Sequence, residues 1–242
     1  MTVEVCAYSL ASCLAAERAG ATRIELCGGM SEGGITPSAG LIRQVRQAVL
    51  LPIYVMIRPR GGDFLYSDTE LAVMQADIET ARQLGADGLV LGVLHADGTV
   101  DETTTRELIE LARPLPVTFH RAFDMTRNPA EALEAIIRTG AERILTSGQQ
   151  PKAEAGIPLL RELVRQAAGR IEIMAGAGVS ARNAGLFREA GLTAIHLSGS
   201  RSQPSPMAYR QPAVSMASTI PSEYERIEAD ELVIQSVVQA FV

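Results

Sequence analysis

One short pattern, repeated along the chain, most constrains the fold. A β-branched, alternating run ends in a polar side chain and hands over to an amphipathic helical stretch. Val3-Glu4-Val5-Cys6, Ile24-Glu25-Leu26-Cys27, Val55-Met56-Ile57-Arg58, Val117-Thr118-Phe119-His120 and Ile195-His196-Leu197-Ser198 all follow it. A period of two marks a strand and a period near 3.6 a helix, so each unit reads as βα. The return from helix to strand repeats too, as Ala19-Gly20-Ala21, Leu84-Gly85-Ala86, Thr139-Gly140-Ala141 and Ala190-Gly191-Leu192. A glycine there closes the helix in the left-handed conformation, and the next strand begins a few residues on.

Strands are expected at about 3–7, 23–27, 53–58, 88–93, 116–120, 143–147, 171–175 and 194–198. Eight βα units in 242 residues fit one parallel (β/α)8 TIM barrel, typically about 250 residues long, in a single domain over 1–242. A doubly wound sheet would carry a glycine-rich fingerprint after its first strand, where this chain has Cys6-Ala7-Tyr8-Ser9. Helix starts are expected at the capping box Ser67-Asp68-Thr69-Glu70, at Thr36-Pro37, at Asn128-Pro129 and at Ser180. Residues 199–222, rich in Ser, Pro and Ala, are expected to form an irregular late loop, and 223–241 the last helix.

A net charge of −6 argues against nucleic acid as the main partner. No apolar run is long enough for a membrane span, and the opening residues, which lead straight into a strand, are expected to carry no signal peptide. Three cysteines read as reduced thiols rather than a disulfide framework, so a cytoplasmic protein is expected.

In a barrel of this kind the chemistry sits at the C-terminal ends of the strands. Residues two apart on a strand share a face, so Glu4 with Cys6, Glu25 with Cys27, Thr118 with His120, and His196 with Ser198 are expected to point inward. Buried carboxylates need partners, for which Arg58, His120 and Arg121 are the candidates. Arg58 or a protonated His120 could also help Cys6 and Cys27 lose their protons. Cys13, inside the first helix, reads as core. Arg60, in the loop Pro59-Arg60-Gly61-Gly62-Asp63, could clamp an anion, and Gly176, Gly178, Ser198 and Gly199 lie in the loops where many barrels bind phosphate.

Taken together, these residues resemble the CutC copper homeostasis protein family. The marks are Glu4-Val5-Cys6, Arg23-Ile24-Glu25-Leu26-Cys27, Glu32-Gly33-Gly34 with Thr36-Pro37-Ser38, and Ile57-Arg58-Pro59-Arg60-Gly61-Gly62-Asp63-Phe64 through Tyr66-Ser67-Asp68. Val117-Thr118-Phe119-His120-Arg121-Ala122-Phe123-Asp124 and Leu145-Thr146-Ser147-Gly148 complete them. The resemblance implies a TIM barrel that assembles as a homodimer or homotetramer in the cytoplasm and binds copper as Cu(I). Its proposed ligands fall on Cys6 and Cys27. The alternative reading is an enzyme using acid–base chemistry on a small anionic substrate, a phosphorylated one included, with Glu25, Arg58, His120, Arg121 and Asp124 as the catalytic set.

Overall fold

In the computed structural model, residues 1–211, 213, 214, 216 and 222–242 are described. The first half runs β1 (Thr2–Ala7), α1 (Leu10–Arg18), β2 (Arg23–Leu26), α2 (Ala39–Ala48), β3 (Ile53–Met56), α3 (Asp68–Gln83), β4 (Gly88–Leu91) and α4 (Glu102–Ala112). The second runs β5 (Val117–Phe119), α5 (Pro129–Thr139), β6 (Arg143–Thr146), α6 (Ile157–Ala167), β7 (Glu172–Ala175), α7 (Ala184–Glu189) and β8 (Ala194–Leu197). A ribbon of β9 (Ser200–Pro204) and β10 (Glu225–Ala229) follows, then α8 (Glu231–Phe241). Strands β1 to β8 pair in sequence order into a closed parallel barrel. Closure sets Glu4 of β1 beside Arg23 of β2 on one side and His196 of β8 on the other.

The outward residues of the strands are apolar and shut off from solvent: Val3, Val5, Ile24, Leu26, Phe119, Ile195 and Leu197 pack in one core with Ile42, Ile78, Leu108, Ile136, Leu160, Phe187 and Ile234 of the helices. Each such side chain contributes roughly 1.5–3 kcal/mol by leaving water. The inside of the barrel differs. It holds a small cluster of Cys6, Cys27, Tyr54, Met56 and Val90, a second of Leu145, Met174 and Ala194, and the buried polar side chains of Glu4, Arg23, Glu25, Thr118 and Arg143.

Several helix starts obey local chemistry. Ser67 and Glu70 form a reciprocal capping box on α3, and Asn128 caps α5 with Pro129 in its first turn. Two expected starts move. α2 is capped by Ser38 rather than Thr36, whose hydroxyl accepts instead from the Arg58 amide, and α7 begins at Ala184 because Ser180 is held in a turn by Asn183. The late segment is not uniformly irregular, since β9 pairs antiparallel with β10 from Ser200↔Ala229 to Pro204↔Glu225. Of the remainder, positions 212, 215 and 217–221 lie outside the described residues. The last helix starts at Glu231, not near 223, because the preceding residues pair in the ribbon. Asp230 donates its amide to the Gly199 carbonyl at 2.8 Å, so the ribbon leaves the barrel rim and returns to it at one point. Among the described residues no helix is long and apolar enough to cross a membrane.

Candidate functional site

At the C-terminal mouth of the barrel a cavity of about 290 Å³ opens between the strand ends. Its wall includes Cys6, Tyr8, Glu25, Arg58, His120, Arg121, Gly178, His196 and Ser198. Cys27, Asp124, Arg60, Gly176 and Gly199 are not on that wall.

The two thiols anticipated at the ends of the first two strands do meet: their Sγ atoms are 3.8 Å apart. Cys6 reaches the cavity, while Cys27 is fully buried behind it under Gly34. Cys27 also lies 3.5 Å from Glu25 Oε2. A sulfur of Cys6, a carboxylate oxygen of Glu25 and a ring nitrogen of His196 all come within 4.8 Å of one another. His196 Nδ1 faces Glu4 Oε1 at 2.7 Å, which leaves Nε2 toward Glu25, 3.8 Å from its Oε2. A carboxylate behind a histidine fixes the tautomer and aims the other nitrogen, the usual second layer of a metal site.

The partners of the buried carboxylates are not the expected ones. Glu4 takes Arg23 Nε at 2.5 Å as well as His196. Arg23 in turn lies over the Tyr54 ring, 4.6 Å from its centroid. Arg58 meets no carboxylate among the described residues: its Nη1 donates to the carbonyls of Glu32 and Gly34 at 2.8 and 2.9 Å, and its Nη2 to that of Gly62 at 2.8 Å. It ties together the loops after β2 and β3. Arg121 pairs with Asp124 at 2.7 Å and reaches Ser147. Asp124 also accepts from Thr146 Oγ1, the Ser147 amide and hydroxyl and the Gln149 amide, which commits it to holding the loop after β6. Arg60 is bound by Glu70, Asp63 and the Leu65 carbonyl.

These contacts set the protonation states. Burial alone would raise the Glu4 carboxyl, but His196 and Arg23 bring it down to about 2. Burial pushes Glu25 well above the ordinary carboxyl range. The hydrogen bond with Cys27 and the nearby His196 hold the Cys6 thiol well below its ordinary value, and the same contact with burial raises Cys27. Burial opposes a charge on His196, yet the acidic groups around it raise it well above 6.5. Glu4 and the Cys6 thiol are thus pushed toward their ionised forms beside Arg23 and His196, and Glu25 and Cys27 toward their protonated forms. Here the histidine that assists the thiol is His196. Burial and the Arg58 charge lower His120 to about 3, so it is neutral. Its Nδ1 accepts from the Ala122 amide at 3.2 Å, which places its proton on Nε2.

Arg23 and Tyr54 were missed, and His196 was placed inward without a role. The only signal for them is register: Arg23 is level with Glu4, and His196 becomes its neighbour only when β8 closes on β1.

Fold and site together define a parallel (β/α)8 barrel with a thiol, imidazole and carboxylate cluster buried at its C-terminal mouth. The chain belongs to the CutC family, whose model matches residues 1–201. It is 50% identical to the human copper homeostasis protein cutC homolog over 224 residues, covering 92% of this chain and 82% of the relative. It is 53% identical to a family protein CutC of Bacteroides thetaiotaomicron, over 92% of this chain and 91% of the relative. A crystal structure bearing the CutC copper homeostasis name, from Streptococcus agalactiae, superposes with a TM-score of 0.78 at 35% identity, covering 82% of this chain and 98% of that one.

Proposed function

We propose that this protein handles cuprous copper in the cytoplasm, with Cu(I) held by the sulfurs of Cys6 and Cys27 and His196 Nε2 beside them. The observation that carries the reading is the 3.8 Å separation of the two thiols, next to the only group of three metal-capable side chains found among the described residues. A single ion with metal–sulfur bonds of about 2.3 Å can touch two sulfurs at that spacing. Thiolate and imidazole donors suit Cu(I), whereas an oxygen-rich site would suit harder ions. The donor set fits this cargo once Cu(I) displaces the proton on His196 Nε2 and the proton on the Cys27 thiol. The copper homeostasis names of the relatives support the same reading, and assembly as a homodimer or homotetramer belongs to it as well.

The test is anaerobic competition of the reduced protein against a Cu(I) chelator, with circular dichroism confirming that each variant is folded. Tight binding is expected in the wild type and its loss in a Cys6→Ser, Cys27→Ser double variant, with His196→Gln in between. Binding that ignores both sulfurs would end the reading.

A further inference from the structure

Among the described residues, five buried side-chain polar atoms lack a hydrogen-bond partner, and three of them belong to the wall of one cavity: His120 Nε2, Arg58 Nε and Glu25 Oε1. Buried polar atoms are almost always paired, and an orphan in a native protein calls for an explanation. His120 and Arg58 are only 4% and 6% exposed, so bulk water does not serve them. Their orphan atoms are both N–H donors, one fixed by the tautomer of His120 and the other by the guanidinium itself. Each is held rigidly. The His120 ring leans on Phe64 at 4.9 Å, and the Arg58 guanidinium is anchored on three carbonyls with the Tyr66 hydroxyl as a further neighbour. A Cβ on Gly92 would lie 2.7 Å from His120 Nδ1, so the backbone there leaves room for the ring.

Across the cavity, the loop after β7 supplies more donors. The amides of Ala177, Gly178 and Val179, three in a row, donate to no acceptor among the described residues. Ala177 and Gly178 both have positive φ, 83° and 76°, and an alanine there is strained. Successive free amides of this kind make a concavity for an oxyanion. Arg121 adds a fixed positive charge to the same wall.

We propose that this cavity is a binding site for a small phosphate monoester, its phosphoryl oxygens on the amides of residues 177–179 near Arg121 and its hydroxyl or carbonyl end on His120 Nε2–H. Three consecutive amides suit the three terminal oxygens of a phosphoryl group better than the two of a carboxylate. A volume of about 290 Å³ sits at the small end of ligand pockets, which limits the ligand to a few carbon atoms. The site stands whether or not Cys6 and Cys27 hold copper.

The experiment titrates metal-free, reduced full-length protein, in the presence of a chelator, with glycerol 3-phosphate, inorganic phosphate, glycerol and lactate. Calorimetry gives the affinity, and amide nitrogen–proton spectra locate the site. Glycerol 3-phosphate is expected to bind, inorganic phosphate to compete more weakly, and the amide signals of residues 177–179 to shift. Arg121→Gln, on a half-exposed side chain that the fold can lose, should weaken binding about tenfold. His120→Phe should weaken it by a similar factor while leaving inorganic phosphate nearly unaffected. No binding at millimolar glycerol 3-phosphate, shifts confined to other residues, an unchanged affinity in Arg121→Gln, or lactate binding as well as the phosphate ester would each overturn the proposal.

Discussion

At the level of single residues, the interior depends on matched charges. Glu4 is fully buried, and two cations keep it ionised. Removing one partner of a buried pair strands the other and costs about 3–5 kcal/mol, far more than a surface pair contributes. Arg23→Met should therefore lower the chemical unfolding midpoint sharply, whereas Arg18→Met, which breaks the exposed pair with Glu231, should leave it almost unchanged. The inward direction of Glu4, Cys6, Glu25 and Cys27 was legible because alternation along a strand needs only the sequence. Their partners were not. Arg23 looks like a strand-opening surface residue until the register places it level with Glu4, and His196 is 192 positions away in the chain. Arg58, His120 and Arg121 seemed the obvious counter-ions because they are polar and end a strand, but loop carbonyls, a backbone amide and Asp124 hold them instead.

Among the elements, the helix caps and glycine-closed junctions could be read locally, since each depends on a few adjacent side chains. Ser67→Ala removes the capping-box hydroxyl of α3 and should cost about 1 kcal/mol, a fall in melting temperature of about 2–4 °C for a chain of this size. The β9–β10 ribbon could not be read that way. Its strands have no alternating apolar pattern because β9 is largely exposed and β10 at most half-buried, and twenty residues separate them. What holds the ribbon is pairing together with the Gly199–Asp230 bond and the Ala229 amide on Ser12 Oγ at 3.1 Å. None of those partners is close in sequence.

Across the whole molecule, the ionised interior ties stability to pH. The Glu4 pKa is lowered in the fold from its ordinary 4.5 to about 2. Its contribution, roughly 3 kcal/mol, is complete above pH 4.5 and disappears as the pH falls toward 2. His196 works the other way: its pKa is raised, so its contribution is complete below pH 6.5 and withdraws only as the pH climbs through the folded value. Unfolding free energy measured from pH 2 to 9 should rise steeply on the acid side, and Glu4→Gln should flatten that limb.

The guanidinium of Arg58 has a kinetic consequence. By gripping the carbonyls of Glu32, Gly34 and Gly62, it welds the segments after β2 and β3 into one panel, and Gly34 of that panel lies against Cys27. The panel should open as a unit, so its two halves should exchange their amide hydrogens at a common rate. A thiol-specific reagent would then modify Cys6 at its own chemical speed and Cys27 only as often as the panel swings aside. Arg58→Met should merge those two clocks into one.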